Sequence, residues 1–299
     1  MNILITGAWN NWETCRQALE ARGHSVAFLQ QEKATLPVPY DWVEGVICNG
    51  LFLYHKADLF PNLKYVQLTS AGFDRVPVDL LTARGVRLHN ARGVYSIPMA
   101  EFALCGVLQL YKKSHFFTKN QSSHRWEKHR GLLELAGKTI CILGCGSVGT
   151  ECAKRFQAFG CTVIGIDLYP SANPHYTEVQ ALDALDAVLP QADVVVLTVP
   201  LTEQTRHLIN ASRLAAMRPG AILINIARGA IVDTAALLVA LESHLGGAVL
   251  DVFEEEPLQE SSPLWNMEHV ILTPHNSFVG EGNDIRLAEI ILKNLEMDT

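Results

Sequence analysis

No apolar run in the 299 residues reaches the roughly 18 positions that a membrane-spanning helix needs. The chain also lacks a basic excess. It carries 24 Lys plus Arg against 31 Asp plus Glu, a net charge of -7, so it lacks the positive field that nucleic acid or an anionic membrane selects. Neither is expected as a partner. A small anionic substrate stays open, because it needs only a local cation. The seven cysteines (Cys15, Cys48, Cys105, Cys141, Cys145, Cys152 and Cys161) contain no Cys-x-x-Cys pair. Paired zinc-ligand spacing is therefore missing, and the cysteines are expected as small core residues in a reducing, cytoplasmic compartment, with no metal. Repeats and low-complexity tracts are absent. Asn2–Thr6 reads as a short strand and lacks the basic flank of a secretory leader.

What is present is ordinary for a folded chain with a sizeable core: 48% hydrophobic and 18% charged residues. Short apolar runs alternate with helical patterns from end to end. Strand-like runs at Ile3–Thr6, Ser25–Leu29, Gly45–Cys48, Tyr65–Leu68 and Val86–His89, with helices over Glu13–Ala21 and Val78–Ala83, predict a first α/β domain. A long helix is predicted from about Ser96 to Phe117, with Pro98 near its first turn. The basic stretch 112–130, with His115, His124 and His129, is expected as a solvated connecting arm. Beyond Gly137 the runs Thr139–Leu143, Cys161–Ile166, Asp193–Val199, Ala221–Ile226, Ala248–Leu250 and Val270–Thr273 are almost continuously apolar. Strands buried on both faces of a parallel sheet look like this. The final pattern, Asp284–Leu295, is an amphipathic helix expected to pack back on the first domain or along the hinge.

Gly144-Cys145-Gly146-Ser147-Val148-Gly149 follows a strand and opens a helix. In that setting Gly144 permits a tight turn, Gly146 lets the backbone approach a pyrophosphate, and Gly149 lets helix and strand pack closely. The helix N-terminus, with Ser147 and Val148, offers amides and a positive dipole end to phosphates. The next strand ends in Asp167, eighteen residues past Gly149, where a carboxylate can accept from ribose hydroxyls. A 2′-phosphate would face that charge, and Leu168-Tyr169-Pro170 supplies no arginine. The expected cofactor is NAD.

Three further strand ends carry unusual charge: Arg228 within Asn225–Asp233, Glu256 within Leu250–Leu258, and His275 within Leu272–Asn276. Open α/β sheets bind ligands at such carboxyl ends. An arginine can pair with a carboxylate and polarise the adjacent carbonyl, a histidine can pass a proton at neutral pH, and a paired glutamate favours the protonated ring. Glu254 and Glu255 are expected as a solvated acidic loop.

At these residues, together with Thr69–Asp74, Met99–Glu101 and Pro200–Thr205, the chain resembles the D-isomer-specific 2-hydroxyacid dehydrogenase family over nearly its whole length. The resemblance implies an α/β chain of two doubly wound parallel-sheet domains. A Rossmann NAD-binding domain (95–279) is inserted in a flavodoxin-like substrate domain (1–94 plus 280–299). It implies an oxidoreductase moving a hydride between NAD(H) and C2 of a small 2-hydroxy or 2-oxo acid. Arg228 would bind substrate, His275 would serve as acid/base and Glu256 as its partner. The backbone of Ala71 and Gly72 would cradle the substrate carboxylate. Val199, Pro200, Thr205, Ile226, Ala227 and Asp251 would line the cofactor, and Arg228 and His275 would also border it. A homodimer is implied as well, with the Ser96 helix and Trp126 as its expected surface. Asn276-Ser277-Phe278 departs from the small residues that usually follow the histidine, which opens the question of what Phe278 does to substrate choice. The alternative from another functional class is an NAD(H)-sensing binding protein, like the corepressors that share the fold.

Overall fold

The computed structural model describes residues 1–7 and 12–297, and the chain divides into two compact units. The first holds Met1–Tyr95 with Gly280–Thr299; the second holds Ser96–Val279.

In the first unit the order is β1 (Asn2–Thr6), α1 (Trp12–Glu20), β2 (Ser25–Leu29), β3 (Gly45–Cys48), β4 (Tyr65–Leu68), α2 (Val78–Ala83) and β5 (Arg87–His89). All five strands are parallel, in the order β2-β1-β3-β4-β5, a flavodoxin-like arrangement. Alternation along each strand supplies two cores. Leu4, Val46, Val66 and Leu68 face one side, and Ile3, Ile5, Ile47 and Tyr65 the other.

The second unit runs α3 (Ser96–Tyr111), α4 (Ser114–Ser122), β6 (Thr139–Leu143), α5 (Ser147–Ala158), β7 (Thr162–Asp167), β8 (Glu178–Ala181), α6 (Leu185–Val188), β9 (Val194–Leu197), α7 (Ala211–Ala216), β10 (Ile222–Asn225), α8 (Thr234–Ser243), β11 (Gly247–Leu250) and β12 (Val270–Leu272). Its seven parallel strands are ordered β12-β11-β10-β9-β6-β7-β8, so the order reverses between β6 and β9. That switch point is where ligands bind in doubly wound sheets. The apolar runs are continuous because both faces are buried. Cys141, Leu143, Val195 and Leu223 enter one core, and Ile140, Ile142, Val194 and Ile224 the other. On one face α3 comes so close to β11 that a Cβ on Gly106 would meet the Val249 methyl carbons at 2.7 Å.

The closing helix, α9 (Asn283–Met297), belongs to the first unit. Its stripe Leu287, Ile291 and Leu295 is buried against Ile3, Ile5 and Leu19, each contributing roughly 1.5–3 kcal/mol. The buried Asn294 amide donates to Gln67 Oε1 at 2.8 Å, which fixes the register.

Two expectations need correction. The helix from Ser96 does not run to Phe117. Lys113 takes a left-handed backbone (φ 52°), ending α3 and starting the separate α4 inside the stretch expected to be a plain arm. β8 was not foreseen, because Glu-Val-Gln-Ala at a sheet edge offers no apolar run. Of the cysteines, five are buried, Cys145 is half-buried and Cys105 is exposed. Burial pushes the Cys15, Cys141 and Cys152 thiols up to about 12, which makes them poor nucleophiles at neutral pH.

Candidate active site

The residues singled out in the second unit fall at the carboxyl ends of six neighbouring strands, β12 through β7. Gly144 leaves β6 at φ 97°, and a Cβ there would stand 2.9 Å from the backbone of Thr198 and Val199. A Cβ on Gly149 would lie 1.9 Å from the Gly144 carbonyl oxygen, so α5 starts directly against the turn. Gly146 opens α5 with no side chain capping it. The amides of Ser147, Val148 and Gly149 therefore have no intrahelical acceptor and sit at the positive end of the helix dipole. Asp167 ends β7 beside this turn. Its Oδ2 accepts from the Cys145 N–H at 2.7 Å and its Oδ1 from the Tyr169 N–H at 2.9 Å. A carboxylate has about four acceptor positions, so two remain for hydroxyls. Bare amides, a turn without room for side chains and a fixed carboxylate fit the pyrophosphate and ribose of a dinucleotide.

The segment after β9 carries Val199, Pro200 and Thr205. The Thr205 hydroxyl donates to the Pro200 carbonyl at 2.7 Å and accepts from the Thr202 N–H at 2.7 Å, so it shapes this loop from within. The loop is tied to the next strand end: the His207 N–H donates to Ala230 O at 2.8 Å and the Ile209 N–H to Ile231 O at 3.0 Å. Ile226 and Ala227 are buried in the core, and the Ala227 N–H and carbonyl are engaged by Asn225 and Arg228.

Arg228 follows β10 in extended conformation. Its turn is built by the buried Asn225, whose amide donates to Arg228 O at 2.9 Å while its oxygen accepts from the Ala227 N–H at 3.1 Å. The Arg228 guanidinium donates to Ala227 O at 2.7 Å. Gly229 presses on the loop after β11, where a Cβ would meet the Phe253 carbonyl carbon at 1.8 Å. In that loop Glu256 Oε1 accepts from the Phe253 N–H at 3.0 Å, and Glu256 Oε2 lies 2.9 Å from His275 Nδ1. The contact at Nδ1 places a hydrogen there and leaves Nε2 as the atom free to exchange a proton. Both side chains are partly exposed, at 42% for His275 and 37% for Glu256. Phe278 packs edge-on against the His275 ring, with centroids 6.3 Å apart.

Three features were not legible in advance. Asp251, expected only to line the cofactor, is fully buried and builds the histidine turn. Its Oδ1 accepts from the Thr273 hydroxyl and the Asn276 N–H, both at 2.7 Å, and its Oδ2 from the Ser277 N–H at 2.9 Å. Its carbonyl accepts from the His275 N–H at 2.8 Å, and His275 itself sits at φ 52°. Secondly, Glu254 is not a merely solvated acid. It accepts from the Thr234 N–H at 2.8 Å and lies 2.9 Å from His207 Nε2. Burial opposes its charge, but the Thr234 and His207 bonds prevail and hold its carboxyl below the ordinary range. Thirdly, Asn225 shapes the arginine turn, and a polar residue ending an otherwise apolar strand was the available signal.

Ala71 and Gly72 follow β4 in the first unit. There the Asn90 amide donates to Ala71 O at 2.6 Å, and the Ser70 hydroxyl donates to Gly72 O at 3.1 Å. Both contacts engage carbonyl oxygens, so the neighbouring amides are not consumed by them.

Residues 104–277 match the family model described as the D-isomer specific 2-hydroxyacid dehydrogenase NAD binding domain. The (S)-sulfolactate dehydrogenase of Chromohalobacter salexigens is 37% identical over 240 residues, covering 79% of this chain and 77% of that protein. The glyoxylate reductase of Thermofilum pendens is 36% identical over 251 residues, covering 80% and 72%. Among solved structures, a D-isomer specific 2-hydroxyacid dehydrogenase from Xanthobacter autotrophicus Py2, in complex with NADPH and MES, superposes with a TM-score of 0.82. It shares 31% identity and covers 99% of this chain and 93% of its own. The chain belongs to the D-isomer specific 2-hydroxyacid dehydrogenase family, and residues 104–277 are its NAD binding domain.

Proposed function

We propose that this NAD-dependent dehydrogenase interconverts a small 2-oxo acid and its 2-hydroxy acid with Arg228, Glu256 and His275 as its working side chains. The observation that carries the assignment is the 2.9 Å contact of Glu256 with His275 Nδ1, on the same sheet edge as the glycine turn. The bound nicotinamide supplies or takes the hydride at C2. Arg228 pairs with the substrate carboxylate and draws electron density from the 2-carbonyl. The amides of Ala71 and Gly72 are proposed as further donors to that carboxylate. In reduction, His275 gives the proton from Nε2 to the carbonyl oxygen, and Glu256 stabilises the imidazolium at Nδ1. The relatives act on glyoxylate and sulfolactate by name, so the substrate class is a short 2-oxo acid. Loss of NADH absorbance with glyoxylate, hydroxypyruvate, pyruvate or 2-oxoglutarate tests this. NADH binding without turnover on every acid would favour a sensor instead.

Asp167 is proposed to set the preference for NAD. Asp167→Ala is expected to narrow the ratio of kcat/KM with NADH to that with NADPH by about fivefold, since an adjacent like charge costs on the order of 1 kcal/mol even when solvated. A ratio identical to that of the parent chain would assign selectivity to another group.

A homodimer is proposed through the α3–α4 region, beyond which Trp126 is 98% exposed. Contiguous apolar surface marks association sites, and Phe117, Leu132 and Leu133 of the same region are exposed as well. Gel filtration should give the mass of two 33.0 kDa chains, and elution as a single chain would refute the pairing.

A further inference from the structure

The loop after β11 presents Glu256 to His275, and its Phe253 and Leu258 pack against the core beside an open cavity. Val252, Phe253, Glu254, Glu255 and Leu258 line a cavity of about 250 Å³ together with Val232, Leu237 and Leu264. None of Arg228, Glu256 or His275 lines that cavity. The loop's close backbone contact and its polar bonds to other segments lie to either side of that cavity. The backbone contact is the one with Gly229. The polar bonds are those of Glu254, grasped by the Thr234 N–H at 2.8 Å and by His207 Nε2 at 2.9 Å. His207 can serve as a fixed post, because its own backbone is bound to Ala230 and it stands at a left-handed φ of 48°. The loop thus carries two alternate acids, each gripped by a histidine from a different strand end: Glu254 by His207 and Glu256 by His275. The two are mechanically linked. Phe253 and Glu256 close a turn through the 3.0 Å N–H to Oε1 bond, and Glu254 lies inside that turn.

We propose that His207 is a positioning residue for the reaction: its bond to Glu254 fixes the turn that holds Glu256 against His275 Nδ1. It touches neither substrate nor cofactor, and it acts through Glu256. The inference rests on the assignment of Glu256 and His275 given under Proposed function. Removing the bond leaves Glu254 with the Thr234 N–H alone and loosens the turn. A shift well below 1 Å then lengthens the Glu256 contact, and small misplacements of this kind carry large kinetic costs.

The test measures kcat with the 2-oxo acid that the enzyme turns over, for His207→Ala and His207→Gln, each alone and in a Glu256→Gln background, with unfolding midpoints alongside. His207→Ala is expected to lower kcat by about tenfold with a modest fall in midpoint, since alanine takes the left-handed φ of 48° less readily than histidine. His207→Gln should recover most of the loss, because its amide can donate to Glu254. In the Glu256→Gln background His207→Ala should cost nothing more. A merely structural histidine would lower kcat in both backgrounds, so an equal loss there overturns the proposal. Parental kcat in His207→Ala beside an impaired Glu256→Gln overturns this proposal alone, whereas full kcat in Glu256→Gln overturns the assignment of Glu256 as well. Should the alanine chain fail to fold, His207→Leu fills the same space without a donor and is read identically.

Discussion

His275→Ala is expected to lower kcat for 2-oxo acid reduction by roughly 10²–10⁴-fold, the range that positioned proton transfer contributes. NADH affinity should stay close to that of the parent chain. The two effects separate because different strand ends are responsible. The glycine turn and Asp167 follow β6 and β7, while His275 follows β12. The parent histidine already occupies φ 52°, a left-handed conformation that alanine takes less readily than histidine or asparagine. His275→Asn is the parallel variant, since asparagine tolerates the left-handed region without supplying a general acid at neutral pH. Equal loss in both variants assigns the effect to the imidazole rather than to a disturbed turn. Steady-state kinetics and NADH fluorescence titration read the two quantities. An unchanged kcat in either variant removes His275 from the proton transfer.

The architecture was legible because the chemistry of burial leaves a periodic trace. A parallel strand covered on both faces is apolar along nearly its whole length, as Val194–Leu197 and the first three residues of Ile222–Asn225 are. The glycine turn was equally legible, because Gly144 and Gly149 stand where no Cβ fits. What escaped reading lies where local pattern and long-range contact part company. β8 is an edge strand with no apolar signature. The break at Lys113 is a single left-handed residue inside an otherwise helical pattern. Glu254 and Glu255 look alike in sequence, yet Glu254 meets a histidine 47 residues away and Glu255 meets Gln259. No local periodicity encodes that difference. The site's chemistry was therefore visible in its residue types, and its scaffolding of Asn225, Asp251 and Glu254 became visible only in three dimensions.

Asp251→Ala is the substitution expected to damage the site most without touching its reactive atoms. The carboxylate is fully buried and satisfies three donors: the Thr273 hydroxyl and the amides of Asn276 and Ser277. Truncation strands those donors near or below the surface, and each buried unsatisfied donor costs about 1–3 kcal/mol. A loss on the order of 3 kcal/mol or more in unfolding free energy should follow, read from urea denaturation. Asp251→Asn keeps one oxygen but turns an NH2 toward a donor, so it should fall between the parent and alanine. Thr273→Val removes only the hydroxyl and separates the contribution of one donor from that of the turn. The kinetic consequence follows from the same geometry. The Thr273 hydroxyl and the two amides lie on either side of His275 in sequence, and the Asp251 carbonyl holds the His275 N–H. Once the carboxylate is gone, nothing else described holds those amides, and the left-handed His275 keeps only main-chain bonds to Asp251 and Thr273. kcat should then fall even in the fraction that remains folded. An alanine variant within 1 kcal/mol of the parent chain would show that the histidine turn is held by its packing rather than by Asp251.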